Sequence, residues 1–405
     1  MEKRPPYILP LIVVSQFAGT SLWFVGNAIL PDIRQQLHLD SNALGNITSV
    51  VQFGFIAGTL IFAILSIADR FNPSKVFLVS SLLAAAANVC ILWFAKDPFS
   101  LMSFRFVTGF FLAGIYPVGM KIAADWYEKG LGKALGYLVG ALVLGTAFPH
   151  LLKSSSIHFS WEKVIVFTSL FAVAGGLLIF LFVNDGPFRK KVLSFHPKNI
   201  ASIFQSKDFR AAAFGYFGHM WELYTFWAFV PILIGLNNDF TSLEVNIPLW
   251  SFIIIAIGSF SCIAGGYLSN KIGSAKVAFV SLLISGICCL GSAFMLRSAT
   301  PVFLLFMLIW SITVIADSPQ YSALVAQTAP QEVKGTALTL VTCIGFSITI
   351  GSIQLLNHIF YKSAFLSSNN SFVLLAFGAV FGLPFLLRLV KQKKISGDRP
   401  SIAEG

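Results

Sequence analysis

Twelve apolar runs, each long enough to cross a bilayer, leave this chain almost no way to fold in water. A helix rising 1.5 Å per residue needs about 20 apolar residues to cross roughly 30 Å of hydrocarbon. Runs of that length fall near residues 7–30, 44–67, 76–95, 100–124, 134–153 and 163–184, then near 209–236, 247–268, 277–297, 300–326, 335–360 and 370–390. Only 11% of all residues are charged, where soluble domains carry about 25%. A chain so short of polar surface uses lipid as its solvent. The expected fold class is an all-α membrane protein with 12 transmembrane helices.

The net charge of +11 carries topological information. A nucleic-acid surface gathers Lys and Arg on one soluble face, but here they stand in short clusters between apolar runs, so no nucleic-acid partner is expected. Arg70 and Lys75, Lys129 and Lys133, Lys271 and Lys276 share one side with the central cluster Arg189, Lys190, Lys191, Lys198, Lys207 and Arg210. The tail residues Lys391, Lys393 and Lys394 join them. The other side holds Arg34, Lys96, Lys153, Lys163, Arg297 and Lys362. Basic loops stay cytoplasmic, which places both termini inside and makes the span number even.

The longest polar stretch, Asp185 to Arg210, divides the chain into a first bundle at 1–184, a linker at 185–208, a second bundle at 209–390 and a tail at 391–405. Lys3 and Arg4 precede an apolar run too long for a signal-peptide core, so that run reads as a retained first span. Short loops without a targeting extension point to a multi-pass protein of a bacterial inner membrane. Cys90, Cys262, Cys288, Cys289 and Cys343 show neither CxxC spacing nor a neighbouring His set, so no metal site or disulfide framework is expected. No GxxxxGK[ST] loop occurs, so neither ATP nor another cofactor is expected.

The halves also repeat. Ala68-Asp69-Arg70-Phe71-Asn72 follows the second run, and Ser269-Asn270-Lys271-Ile272-Gly273 follows the eighth, 201 positions later. Leu22-Trp23 meets Leu223-Tyr224 at the same offset. Gly132 to Leu135 and Gly335 to Leu338 correspond at an offset of 203. Two parallel six-span repeats around a midplane site are a known transporter plan, giving two pseudo-symmetric six-helix bundles.

These features resemble the major facilitator superfamily along essentially the whole chain. The family's Gly-x-Leu-Ala-Asp-Arg-x-Gly-Arg-type loop corresponds to Leu65 through Lys75, with Asp69 and Arg70 kept, Leu65 in place of the leading Gly and Pro73 in place of the second basic residue. The second half keeps more of the glycine pattern in Gly266 to Gly273. The resemblance implies a conformational gate at Asp69 and Arg70, with Asp125 as a third member and Asn270 and Lys271 as their counterparts. Leu101, Arg105, Thr108 and Gly109 are similar to the family's Arg-containing motif in the fourth span. The Gly-Pro-x-x-Gly-Gly core of drug/proton antiporters is missing from the fifth. Phe217 to Tyr224 resembles a bacterial branch near the cyanate and nitroimidazole permeases.

An ionisable residue at mid-bilayer costs roughly 3 kcal/mol or more unless it meets a partner or a cavity. Glu222 and His219 stand one turn apart in the seventh span, a span that lines the cavity throughout the family. They read either as a proton and substrate site or as a satisfied structural contact. Asp317 and Gln320 share a face of the tenth span with Pro319 between them, either as cavity wall or as glue between helices. Arg105 and Lys121 stand about 24 Å apart along the fourth span. Arg105 is a candidate for tuning proton movement, while Lys121 has the blander option of pairing with Asp125.

Trp93, Trp126, Trp161 and Trp250 fall near span ends, where interface anchoring is the default. Trp23, Tyr116, Trp221, Tyr224 and Trp227 fall deeper. Gln16, Asn27, His150, Gln354 and Asn357 complete the candidates.

The chain therefore reads as a secondary transporter, not an enzyme. It would move a small polar or anionic organic solute by alternating access, with protons as a candidate coupling ion. A monomer surrounded by membrane lipid would suffice. Proton-driven efflux of amphipathic drugs or lipids is the alternative, and the missing fifth-span motif counts against it. An intramembrane enzyme lacks a visible nucleophile–base pair or HExxH cluster, and a sensor lacks room for a signalling domain.

Overall fold

The structure is a computed structural model that describes residues 5–127, 130–154, 159–189, 203–330, 334–362 and 368–397. In the first half, α1 (Ile8–Thr20) and α2 (Val25–Gln36) share the first span, followed by α3 (Ala43–Ile64) and the short α4 (Ile67–Arg70). Then come α5 (Pro73–Phe94), the paired α6 (Pro98–Leu112) and α7 (Tyr116–Trp126), α8 (Leu131–Ser154) and α9 (Trp161–Phe182). The second half runs through α10 (Lys207–Phe240), α11 (Ile247–Ile272), α12 (Ser274–Met295), the paired α13 (Thr300–Ala316) and α14 (Ser318–Thr328), and α15 (Lys334–Lys362). A 3₁₀ segment, Ser368–Leu375, leads into α16 (Ala376–Gly397). These make twelve spans among the described residues. Lys190, Lys191 and Lys198 of the central basic cluster, and residues 398–405 of the tail, lie outside them.

Eleven of the spans are long and apolar enough to cross a membrane by length and composition alone. The twelfth is α10, 34 residues long, whose His219 and Glu222 dilute its apolar content. The least lipid-like span is thus the one that carries the leading candidate residues. Several helices begin with a side-chain cap followed by proline. Asn72 accepts from Lys75 N ahead of Pro73, Asn246 accepts from Leu249 N ahead of Pro248, and Asp97 accepts from Ser100 N ahead of Pro98. Each cap satisfies a backbone donor that a helix start leaves free, and proline supplies no donor to orphan. The Ser100 N–H holds the Asp97 carboxyl below the usual carboxylate range.

Burial runs opposite to that of a soluble protein. Phe99, Phe294, Phe260 and Val380 are exposed, while Gln16, Gln52, Asn88, Arg105, Glu222 and Asp317 are buried. Lipid solvates the first set, and the bundles shelter the second. Within the first half α3 packs closely on α6. A Cβ at Gly54 would lie 2.1 Å from the Phe106 carbonyl oxygen, and one at Gly109 would lie 2.0 Å from that of Val51. Small residues let the backbones touch where lipid supplies no hydrophobic drive.

The halves meet along α8 and α11, along α3 and α15, and between the α1–α2 break and α10. At the end away from Asp69, α3 and α15 are joined by uncharged polar bonds. Gln354 Nε2 donates to Asn46 Oδ1 and to Ser49 Oγ, both at 3.1 Å, and Thr349 donates to Gln52 Oε1. Toward the Asp69 end the same helices border a cavity of about 180 Å³, lined by Thr59, Asp69, Lys121 and Thr336 among others. On that end Lys133 Nζ sits 5.1 Å from the Tyr267 ring centroid, bridging α8 and α11.

Candidate functional site

Three spans break part-way along their length, and the breaks organise the buried polar groups. Residues 21–24 separate α1 from α2 without a proline, although the sequence reads as one continuous run there. Breaking a helix in a membrane frees carbonyls that water cannot satisfy. Arg105 Nη2 donates to the carbonyl oxygens of Leu22 at 3.0 Å and Trp23 at 2.6 Å. Its Nη1 donates to Asn88 Oδ1 on α5 at 3.2 Å. The guanidinium is fully buried, and no carboxylate reaches ion-pair distance of it among the described residues. Arg105 therefore braces the first span from inside its own bundle.

The fourth span breaks between α6 and α7 beside Pro117, and the tenth breaks at Asp317 beside Pro319, 202 positions later. A proline inside a helix removes one N–H and crowds a carbonyl, so both breaks follow from the repeated sequence. Asp317 occupies the joint itself, between α13 and α14.

Glu222 and His219 do not pair with each other. Glu222 Oε1 accepts from Trp310 Nε1 at 2.7 Å, and its Oε2 accepts from Ser285 Oγ at 3.0 Å. Cys289 faces the same carboxyl. His219 Nδ1 lies 3.0 Å from Asp317 Oδ1, off the line of a well-formed hydrogen bond, and His219 Nε2 has no acceptor. The Tyr321 ring lies tilted beside His219, 5.1 Å between centroids. Both acids are fully shielded, so neither faces lipid. Glu222 points into α12 and α13, the interior of the second bundle. The i,i+3 spacing put the two side chains on one face, but partners on neighbouring helices claimed each one separately.

The other candidates divide between the interface of the halves and the bundle interiors. Trp23 and Tyr224 meet across the halves, 5.9 Å between ring centroids, and both pack on Phe346. Asn27 is spent inside the first bundle, donating to Thr48 Oγ1 at 2.9 Å. Gln320 is buried, with its backbone N–H donating to the Asp317 carbonyl at 2.9 Å, and its Nε2 would lie 3.8 Å from a Cβ at Gly265. His150 is buried with Nε2 unpartnered, and Tyr116 is half-buried at the start of α7.

At the basic end Lys121 Nζ sits 2.8 Å from Asp69 and 3.7 Å from Asp125, so one lysine ties the loop to the fourth span. Arg70, expected beside Asp69 in the gate, is exposed and pairs with no acid among the described residues. Asn270 and Lys271 are exposed as well, because the second loop has asparagine where the first has its acid. The bridge at that end is instead Lys133 to Tyr267.

A family model for the Major Facilitator Superfamily matches residues 11–353. The chain belongs to the Major Facilitator Superfamily. It is accordingly a multi-pass membrane transporter and not an enzyme. The superfamily match takes in all three breaks, both buried acids and Arg105. An uncharacterized transporter of Schizosaccharomyces pombe is 24% identical over 65% of this chain, a match spanning 50% of that protein's length. A probable nitrate transporter of Staphylococcus epidermidis is 24% identical over 68% of this chain and 70% of its own. The crystal structure of the human organic anion transporter MFSD10 superposes with a TM-score of 0.71 at 17% identity, covering 95% of this chain and 100% of that one.

Four contributors were hidden in the sequence. Trp310, Ser285, Asn88 and Gln52 sit in apolar runs, and only an unusual polar atom in each run marks them.

Proposed function

We propose that this superfamily member moves a small polar or anionic organic solute by alternating access, coupled to protons through the acids of its second bundle. The moving units would be residues 1–184 and 209–390, joined by the linker at 185–208, with both termini cytoplasmic in a bacterial inner membrane and a monomer as the working form. The observation that carries the coupling is the placement of two acids, Glu222 and Asp317, fully buried and with no lysine or arginine bonded to either. A buried carboxylate without a fixed cation is cheapest when protonated and becomes tolerable as an anion where donors converge on it. Glu222 has the Trp310 and Ser285 donors, and Asp317 has the His219 ring 3.0 Å away.

The proton and the conformational change would share one joint, because Asp317 stands at the break of the tenth span. The polar links between α3 and α15, and the Lys121 tie at the opposite end, are the contacts that rocking would exchange. The names of the similar proteins, one a probable nitrate transporter and one an organic anion transporter, agree with an anionic solute.

The aromatic interface of Trp23, Phe55, Tyr224 and Phe346 favours a second reading, export of amphipathic compounds. Proteoliposome uptake separates the two. Compounds that stabilise the purified protein in a thermal-shift panel of small anions, sugars, amino acids and drugs are tested under an imposed proton gradient. Gradient-driven accumulation of a small solute that falls at least tenfold in Glu222→Gln or Asp317→Asn supports the proposal. Uptake independent of pH and unchanged in both variants removes the coupling.

A further inference from the structure

Where the first span breaks, its aromatic residues meet α10, α3 and α15 in one seam between the halves. Trp23 packs on Phe55, Tyr224 and Phe346, and Phe24 packs on Tyr224 and Trp227. One turn further along α3 and α15, Thr349 donates to Gln52 Oε1, and beside Tyr224 the Thr225 hydroxyl bonds that of Ser352 at 2.6 Å.

The polar atoms of this seam are unevenly matched. Trp23 Nε1, Trp227 Nε1 and Gln52 Nε2 are all buried donors with no acceptor among the described residues. The oxygens nearby are already bonded to other groups: Gln52 Oε1 accepts from Thr349, and the Thr225 and Ser352 hydroxyls bond each other. A buried N–H left without an acceptor costs free energy, so three of them along this interface between the halves mark a place where an acceptor-rich guest would be stabilised. The two carboxyls that might have served are held elsewhere, Glu222 by Ser285 of α12 and Trp310 of α13, and Asp317 beside His219.

Electrostatics points the same way. Arg105 Nη2 is 2.6 Å from the Trp23 carbonyl oxygen, so a full positive charge stands directly behind the seam. Its partners, two carbonyls and an amide oxygen, disperse that charge without neutralising it. In a low-dielectric interior an unneutralised charge acts over several ångströms.

We infer that this seam is the binding site for one oxyanionic group, a carboxylate or a nitrate-like anion, received by the indole N–H groups of Trp23 and Trp227 and the amide of Gln52 and favoured by the charge of Arg105. The inference rests on the transporter reading and narrows its solute to an anion. The surrounding rings give an aromatic or short aliphatic body a surface to pack on. Hydrogen bonds to an ionised acceptor are about twice as strong as neutral ones, so charge rather than shape should set affinity here.

The test is equilibrium binding to the detergent-solubilised, full-length protein by isothermal titration near pH 7, with no transport step. Benzoate and benzamide serve as a matched anion and neutral, acetate and nitrate as smaller anions, and benzylamine as the cation. Benzoate is expected to bind saturably and at least tenfold more tightly than benzamide, with no benzylamine binding. Trp23→Phe and Trp227→Phe keep the ring, lose the donor, and should each weaken benzoate about tenfold, while Gln52→Glu should abolish it. Trp93→Phe, at an exposed span end, should change nothing, and thermal melting confirms that each variant is folded. Equal affinity for benzoate and benzamide, preference for benzylamine, unchanged benzoate binding in the folded indole variants, or no saturable binding of any of the three anions would each overturn the inference. If charge-selective binding holds but proteoliposomes show no flux, the transport proposal fails and the anion site stands.

Discussion

The two bundles bury charge at matching places and handle it in opposite ways. In the first, Asn88 on the third span and Arg105 on the fourth close over the broken first span. In the second, Cys289, 201 positions after Asn88, faces Glu222 on the seventh span. The first bundle buries a cation whose partners are oxygens fixed in backbone and amide, and an arginine does not give up its proton in a protein. The second buries acids whose partners are an indole, a hydroxyl and a histidine, all able to serve a carboxyl in either state. One duplicated scaffold thus holds a cation against backbone and amide oxygens in one half and carboxyls without a bonded cation in the other.

The sharpest way to break this contrast is to remove each charge. Arg105→Met strips the donors from two buried carbonyls and should destabilise the protein by about 3 kcal/mol, since hydrogen bonds to charged groups are worth about 1.5–3 kcal/mol each. Arg105→Lys keeps the charge but loses the fork and should fall between Met and native. Glu222→Gln keeps an acceptor for Trp310 and should cost about 1 kcal/mol. Thermal melting in detergent ranks the three. If Glu222→Gln melts as early as Arg105→Met, the acid is structural and the contrast fails.

Trp310→Phe sharpens the comparison from the partner's side. It removes the donor to Glu222 without removing the ring, for an expected cost of about 1–2 kcal/mol. Coupled uptake should lose more than stability does. The smallest expected effect lies at the gate. Ser66 holds a left-handed conformation (φ 51°) at the end of α3, one that glycine adopts without penalty. Ser66→Gly should stabilise the protein by about 0.5–1 kcal/mol, read as a higher melting temperature. A lower one would mean that the Ser66 side chain matters more than its backbone.

The spans were legible because length and apolar content are dictated by the bilayer, and the repeat was legible in the paired loops, whereas the pairing of Pro117 with Pro319 emerged only when both were seen at span breaks. Pro319 marked the tenth-span break in the sequence. The break at residues 21–24 had no such mark, since its cause is a side chain on another span, Arg105. The buried acids were legible because carboxyls are costly in lipid. Their partners were not, because helical spacing tells which side chains share a face and is silent about the neighbouring helix. Trp310 reads as one more apolar residue until its N–H is seen on Glu222. At the loop after the second span the motif named the acids but not their partner. The loop motif predicted Arg70, whereas the structure ties Asp69 to Lys121, a residue whose sequence context offered only Asp125.

The central claim is that proton exchange belongs to the second bundle alone. Infrared difference spectroscopy of the solubilised protein across a pH jump reads protonated carboxyl groups directly and needs no transported solute. A buried-carboxyl band that responds to pH in the native protein and in Arg105→Lys, and shrinks in Glu222→Gln and again in the Asp317→Asn double variant, is the predicted result. A band that persists unchanged in that double variant would contradict it.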